Sequence, residues 1–352
     1  MKKKLVGMLA TATLLTMALA GNVQAAEIRS VGPDGEAAVD ASTIELTDDQ
    51  IAQIKEGGYT AAICLHYGGN DWSTSQQKGL EDTFGELGIE IVAVTDANFS
   101  AETQVSNIET VMAKKPDILV SIPTDATATA DAYKQAAAAG IKIVFMDQRA
   151  DGLEAGKDYV SVVSADNYGN GYASGTVLGD ALGGKGKVAM VYYDANFAPT
   201  NQRDEGFRDA MKNYPDIEIV TEQGFTDESG CAEQGDAILT QFPNIDGIYA
   251  SWDVPMEGVL SAVRAAGMEG KVTLACNDLG NNVAREIASG NIAGGGAQMP
   301  YDQGVAEAKL AALALLGEET PSYVAVPAET VTHENVLEAY TDVYHVETPD
   351  WL

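Results

Sequence analysis

Gly206-Phe207-Arg208-Asp209-Ala210-Met211-Lys212-Asn213-Tyr214, followed by Ile217-Glu218-Ile219-Val220, echoes Gly79-Leu80-Glu81-Asp82-Thr83-Phe84-Gly85-Glu86-Leu87, followed by Ile89-Glu90-Ile91-Val92. In each copy the bulky apolar residues fall at i, i+4 and i+7 (Leu80, Phe84, Leu87; Phe207, Met211, Tyr214), the face of a helix, and the apolar run after it reads as a strand. A second echo lies downstream: Ala138-Ala139-Gly140 before a strand ending in Asp147 matches Ala265-Ala266-Gly267 before a strand ending in Asn277-Asp278. The chain therefore carries an internal duplication of a helix-and-strand unit.

Working outward, strand-like runs at Thr60 to Tyr67, Glu90 to Thr95, Asp117 to Ile122 and Lys142 to Met146 alternate with helical patterns at Ser73 to Leu87 and Thr127 to Ala139. The order restarts with strands at Lys187 to Tyr193, Ile217 to Gln223, Gly247 to Ser251 and Val272 to Cys276, separated by helices from about Asn201, Ser229, Met256 and Asn281. Strand and helix in strict alternation predict parallel sheets with right-handed crossovers and helices on both faces. The fold class is α/β, with two Rossmann-like lobes that turn the carboxyl ends of their strands toward a shared cleft, where such sheets bind ligands. The expected division is an N-terminal extension at 26–58, lobe 1 at 59–165 completed by about 299–325, lobe 2 at 166–298, and a C-terminal hinge strand and tail at 326–352. Ser164-Ala165-Asp166-Asn167 reads as a tight hinge running straight into a helix over Tyr168 to Leu182. Ala26 to Ile44 reads as extended, Thr47-Asp48-Asp49-Gln50 as a capping box, and Tyr301 to Leu316 as an amphipathic helix packed on a sheet. Tyr340, Tyr344 and Trp351 read as cover for core or hinge.

Met1-Lys2-Lys3-Lys4, an apolar run from Leu5 to Ala20, and Asn22-Val23-Gln24-Ala25 have the order of a secretory signal peptide, with cleavage expected after Ala25 and a periplasmic destination. No cysteine flanks that site, so a freely diffusing mature protein is expected. The net charge of −31 becomes −34 once the three lysines are removed, and basic patches are missing along the chain, which excludes nucleic acid as a partner. Cys64, Cys231 and Cys276 are odd in number and widely spaced, and read as small buried hydrophobes with room for one disulfide at most. With no Cys-x-x-Cys or His-x-x-x-His, neither a metal nor a cofactor is expected.

Ile122-Pro123-Thr124-Asp125, the strand end at Asp147, the Ser164 to Asn167 junction, Arg203 ahead of Glu205-Gly206-Phe207, and Gln298 before Pro300 together resemble the ribose-type periplasmic sugar-binding proteins, from about Tyr59 to Gly317. The resemblance implies a type I periplasmic binding fold with three hinge crossovers, the solute-binding component of an ABC transporter. It implies a monosaccharide or polyol as ligand, a membrane permease as partner and a monomer in solution. Asn70-Asp71-Trp72-Ser73 occupies the aromatic stretch after the first strand, so Trp72 takes the role of stacking on a sugar's C–H face, while charged groups bind its hydroxyl edge. Asp147 accepts hydroxyl protons at the fourth strand tip, flanked by Gln148 and Arg149, and Arg203 answers it from the other lobe. The alternative for Arg203 is a solvated arginine paired with Asp204 or Glu205. Asn277 and Asp278 are carried together because a shift of one residue reverses the face of a strand, Gln298 ends the next strand, and Trp252 is a second wall or a lobe-packing residue. Ile122 stands where ribose binders carry a hydroxyl-binding asparagine, Ser73 replaces a second phenylalanine, and Gln148 separates Asp147 from Arg149, which leaves a pentose, a hexose and an acyclic polyol open.

Other classes fare worse. Gly169-x-Gly171-x-x-x-Gly175 misses the dinucleotide-binding spacing by one residue, no acid stands at Lys187 to Tyr193, and the glycines read instead as close helix packing at the hinge. No Gly-x-Ser-x-Gly or Walker loop argues for an exported enzyme. A lactose-repressor-type regulator would need a basic helix-turn-helix before Tyr59. A receptor that presents its ligand to a chemotaxis or sensor protein remains the alternative reading.

Overall fold

A computed structural model describes residues 28–352. The expected signal peptide lies outside the described residues. In chain order the strands are β1 (Val39–Asp40), β2 (Thr60–Leu65), β3 (Glu90–Asp96), β4 (Ile118–Ser121), β5 (Lys142–Met146), β6 (Ser161–Ala165), β7 (Lys185–Tyr193), β8 (Asp216–Phe225), β9 (Gly247–Ala250), β10 (Thr273–Cys276), β11 (Gly294–Ala297), β12 (Tyr323–Val326) and β13 (Glu329–Thr332). The helices are α1 (Asp48–Gly57), α2 (Asp71–Glu86), α3 (Ala101–Met112), α4 (Ala130–Ala138), α5 (Asn167–Ala181), α6 (Ala198–Met211), α7 (Cys231–Gln241), α8 (Asp253–Ala265), α9 (Asn281–Ala288), α10 (Pro300–Leu315) and α11 (Val336–Tyr344).

Two sheets result, in the orders β1-β12-β6-β5-β4-β2-β3 and β13-β11-β10-β9-β7-β8. All pairings are parallel except β11 with β13. The chain passes between lobes three times: after β6 into α5, after β11 into α10, and between β12 and β13. These are two α/β lobes of the type I periplasmic binding kind.

The N-terminal segment is part of lobe 1. β1 adds an edge strand beside β12, and α1 opens with the Thr47/Gln50 capping box. The amides of Arg29 and Ser30 donate to the Asp166 carboxylate at 3.0 and 2.8 Å, and Asp166 also caps α5 through Gly169. The first crossover is thereby tied down by chain on either side of it.

The duplication extends into the register. Ala61 lies opposite Ile118 and that residue opposite Lys142; Val188 lies opposite Gly247, and that residue opposite Thr273. Each copy carries a bulge immediately afterwards, between Ala61 and Ala62 and between Val188 and Ala189. Counting from these anchors makes Asp147 and Asp278 equivalent positions. The helix pairs correspond as well. A Cβ on Gly206 would lie 2.1 Å from the Tyr168 carbonyl, and one on Gly79 would lie 2.2 Å from that of Tyr301. Only glycine permits approach this close. The sequence places the Gly169 to Gly175 set at the hinge; in the structure it serves the α5–α6 contact inside lobe 2, where a Cβ on Gly171 would lie 1.8 Å from the Arg203 carbonyl.

Apolar cores fill each lobe, with Ile63, Val120 and Val144 in the first and Val191, Ile248 and Val259 in the second fully buried. Cys64, Cys231 and Cys276 are free and buried. Tyr340, Tyr344 and Trp351 cluster against lobe 2, where the Tyr340 and Tyr344 hydroxyls meet Asn281 and the Leu279 carbonyl. Among the described residues no helix is long and apolar enough to cross a membrane.

Candidate ligand-binding cleft

Parallel strands end where their side chains and the following loops meet the opposite lobe, so the residues after β2, β5, β7, β9 and β10 define one cleft. Asp147 and Asp278 follow β5 and β10, with backbone φ of 53° and 68°. Their amides donate to Val163 and Gly296 carbonyls at 2.8 Å in the same pattern. The left-handed region costs non-glycine residues on the order of 1 kcal/mol and marks positions that the surroundings hold in place. Here it turns both carboxylates toward the gap.

Arg203 on α6 is 5% exposed. Its guanidinium donates to Asn167 Oδ1 at 2.8 Å, the Ser251 carbonyl at 3.2 Å and Asp278 Oδ2 at 3.1 Å. Asn167 donates to Ser164 Oγ at 3.0 Å, and Ser164 donates to Asp147 Oδ1 at 2.9 Å. Gln298 closes the other end, donating to Asp278 Oδ1 at 2.8 Å. An unbroken chain of hydrogen bonds thus runs from the lobe 1 carboxylate, through the first crossover, to the lobe 2 carboxylate. Burial raises the Asp147 pKa, against the pull of the Arg203 charge and of the Ser164 and Gln303 donors. Burial also works against the Arg203 charge, yet Asp278 and Asp147 outweigh it and hold that pKa above its ordinary value.

Above this chain lies a cavity whose empty volume, open mouth included, is about 460 Å³. Its walls are aromatic. Trp72 and Trp252 face it from opposite lobes, 8% and 6% exposed, and Ile122 lines it as an apolar residue. Trp252 is held by donation to Glu228 Oε1 at 2.8 Å and packs on Phe225 and Tyr193, so it serves both as wall and as packing. His66 stacks on Phe197 of the other lobe at 5.6 Å, and burial lowers its pKa to about 3, so it is neutral. Three buried polar atoms on the lining residues have no protein partner: His66 Nδ1, Trp72 Nε1 and Gln298 Oε1. Buried polar atoms are nearly always paired, which sets these three apart among the lining residues.

The sequence profile of the family described as a periplasmic binding protein domain matches residues 61–319. This chain belongs to that family. Among curated relatives, the ribose import binding protein of Bacillus subtilis is 27% identical over 60% of this chain and 67% of its own length. The D-ribose/D-allose-binding protein of Pseudomonas aeruginosa is 29% identical over 74% of this chain and 83% of its own. A periplasmic solute-binding protein of an ABC transporter from Actinobacillus succinogenes, solved with D-allose bound, superposes with a TM-score of 0.73 at 29% identity, covering 80% of this chain and 99% of that one.

Within this periplasmic binding protein, six of the residues singled out from sequence line one cavity: Trp72, Asp147, Arg203, Trp252, Asp278 and Gln298. Four others do not. Asn277 points into lobe 2, 0% exposed, bonded to Ser174, Tyr249 and the Ser251 carbonyl. The strand register decides between the adjacent pair, since Asn277 is the counterpart of core Met146. Gln148 and Arg149 are swung away by a three-residue turn in which Gln148 N donates to Met146 O around Asp147. Gln148 bridges the Pro123 carbonyl and the Ala198 amide behind the cavity, and Arg149 makes a paired contact with Asp34 of the N-terminal segment at 2.6 and 2.7 Å. Asn70 is occupied as the N-cap of α2, accepting from Ser73 N at 2.8 Å, beside an outer opening rather than in the cavity. Sequence reasoning missed His66, Tyr67, Phe99, Tyr193 and Phe197. The strand-tip rule that selected Asp147 would have found His66 and Tyr67 directly after β2, and Tyr193 at the end of β7.

The lobes are latched at the mouth. Asp71 of α2 accepts from Asn281 N at 2.7 Å and Asn281 Nδ2 at 2.8 Å, at the N-terminus of α9 in the opposite lobe. Asp71→Ala is expected to destabilise the closed form by about 1–3 kcal/mol, the scale of hydrogen bonds to a charged group. The unliganded protein should then show a larger radius of gyration by X-ray scattering, and an unchanged radius would count against the latch.

Proposed function

We propose that this chain binds a monosaccharide or polyol between its two lobes and delivers it to the membrane permease of an ABC importer. It would act as a monomer in the periplasm after removal of a leader near Ala25. The observation that carries the reading is the pair of carboxylates, Asp147 and Asp278, presented by equivalent strand tips on either side of an aromatic-walled cavity and joined through Arg203. A pyranose ring or polyol matches such a cavity chemically: its C–H groups lie on indole and phenyl faces, and its hydroxyls donate to carboxylates and accept from guanidinium. The partnerless atoms of His66, Trp72 and Gln298 supply further donors and acceptors at the ring edge. The relatives named for ribose and allose support the ligand class, and the apolar Ile122 supports a ligand other than ribose itself.

Closure follows from differential contact. Ligand that touches both Asp147 and the Arg203–Asp278 pair is bound only when the lobes meet, so its binding energy shifts the hinge toward the closed form.

A thermal-shift screen of the mature protein against pentoses, hexoses and polyols tests the reading. At a concentration 100 times Kd the cognate ligand contributes about 2.7 kcal/mol, a rise of several degrees, and it should be recovered chemically intact. A flat response across all three classes, or a sugar converted to product, would reject it.

A further inference from the structure

We infer that Glu307 is held as a neutral carboxylic acid whose proton is donated to Gln303, and that it acts as a positioning residue for Asp147, the group proposed above to receive ligand hydroxyls. The argument begins with helix packing. α2 and α10 meet at Gly79 and Gly304, where a Cβ on Gly304 would lie 2.3 Å from the Gln76 carbonyl, and this close approach seals Gln76, Gln303 and Glu307 at 0% exposure. Gln303 and Glu307 are one turn apart on the same face of α10.

The orientation of the Gln303 amide is fixed by its acceptors. Gln303 Nε2 faces two acceptors, Asp147 Oδ1 and the Val163 carbonyl, each at 3.1 Å, so both of its hydrogens are used and its oxygen must point the other way. Gln76 Nε2 donates to Glu307 Oε1 at 2.7 Å. Three oxygens of this sealed set are left without a donor, Gln76 Oε1, Gln303 Oε1 and Glu307 Oε2, and the last two belong to residues one turn apart on the same face of α10. One proton on Glu307 Oε2, shared with Gln303 Oε1, satisfies two of the three. An ionised Glu307 would leave all three unpaired and add a charge in a site where no lysine or arginine neutralises it among the described residues, a costly arrangement. The groups facing it are Gln76 from α2, Gln303 from its own helix and, beyond that amide, the Asp147 carboxyl after β5; burial, then the Asp147 charge, also drive the Glu307 pKa well upward.

Lobe 2 solves the same position differently. By the glycine correspondence, Gln76 is the counterpart of Arg203 and Glu307 that of Ser174, whose hydroxyl contacts Asn277 and the Cys276 carbonyl. Lobe 1 therefore supports its strand-tip carboxylate through a neutral chain, Gln76 to Glu307 to Gln303, where lobe 2 supplies a guanidinium directly.

Two measurements without ligand test this. A raised folded-state pKa means that the native state holds a proton the unfolded chain has released, so native stability falls as pH rises from the unfolded value near 4.5. Glu307→Gln keeps the shape and the donor and removes the titration. Its melting temperature is expected to exceed that of the wild type by a margin that widens from pH 5 to pH 8; a margin constant over that range overturns the protonation. Gln303→Leu removes a donor from Asp147, and the Asp147 carboxyl resonance, followed by carbon NMR, is expected to titrate at higher pH than in the wild type; an unmoved titration overturns the positioning role. D-allose titrations of the wild type and Gln303→Leu judge the ligand reading separately: a tenfold or greater loss in the variant is expected, and failure of D-allose to bind the wild type counts against allose as ligand without touching either ligand-free result.

Discussion

Asp147→Asn is expected to lower affinity for the cognate sugar by about 100-fold or more, while raising the melting temperature of the unliganded protein at neutral pH. The first effect follows from what the substitution removes: a charged acceptor in a dry cavity, where truncating one member of a hydrogen-bonded charge pair costs on the order of 2–5 kcal/mol of binding. The second follows from the sign of the pKa shift. Burial raises the Asp147 pKa from 3.8, so the native state loses stability as pH climbs through that raised value, and an amide that never ionises escapes the loss. Asparagine also tolerates the left-handed backbone at this position, so strain does not cloud the comparison as it would for alanine. The stabilisation should vanish well below pH 3.8, where the carboxyl is protonated in both states. Unchanged affinity in calorimetric titration would remove Asp147 from the site.

Arg203→Met is expected to abolish binding as well, but with the opposite effect on stability: a loss of about 3–5 kcal/mol, the scale for breaking a buried ion pair by removing one partner. The guanidinium satisfies Asn167, the Ser251 carbonyl and Asp278 at once, and the thioether satisfies none of them. The Asp278 carboxylate, only 10% exposed, would keep the Gln298 hydrogen bond alone. Chemical denaturation checks the magnitude. Arg203→Lys should recover part of the stability and little of the binding, because a point charge cannot reproduce three directed donors. A fully active lysine variant would show that charge alone, rather than geometry, is what the cleft requires.

The opposite signs at two residues of one hydrogen-bond chain express a general tension. A site of the kind proposed, meeting ligand hydroxyls without water, must carry carboxylates where burial penalises them, and on that reading Asp147 is kept at a cost to stability.

The duplicated apolar spacing of Leu80, Phe84 and Leu87 with Phe207, Met211 and Tyr214 made the two-lobe fold legible, because helix and strand periods depend on local burial that sequence records directly. Placement in the cavity was legible for Asp147 at its strand tip and for Arg203 on α6. It was not for Asn277 against Asp278, since register is set by pairing with β9 and β11 and not by the two residues themselves. Gly294-Gly295-Gly296 carries no strand propensity; it is a strand because a Cβ on Gly295 would lie 1.6 Å from the Cys276 carbonyl and one on Gly296 2.3 Å from that of Asn170, a packing demand visible only in three dimensions. Arg149 was read toward the cleft because nothing in the sequence announces the tight turn at Asp147 or the partner Asp34, 115 residues away. The aromatic wall of His66, Tyr193 and Phe197 was missed for a related reason: each reads as core until the opposite lobe is in place.

The crystal structure of the mature protein grown with the sugar that stabilises it most would test the central claim directly. The account expects density for one ring or polyol inside the aromatic cavity, its hydroxyls within hydrogen-bonding distance of Asp147 in one lobe and of Arg203 or Asp278 in the other. Ligand density on an outer surface, or contacts confined to a single lobe, would contradict it.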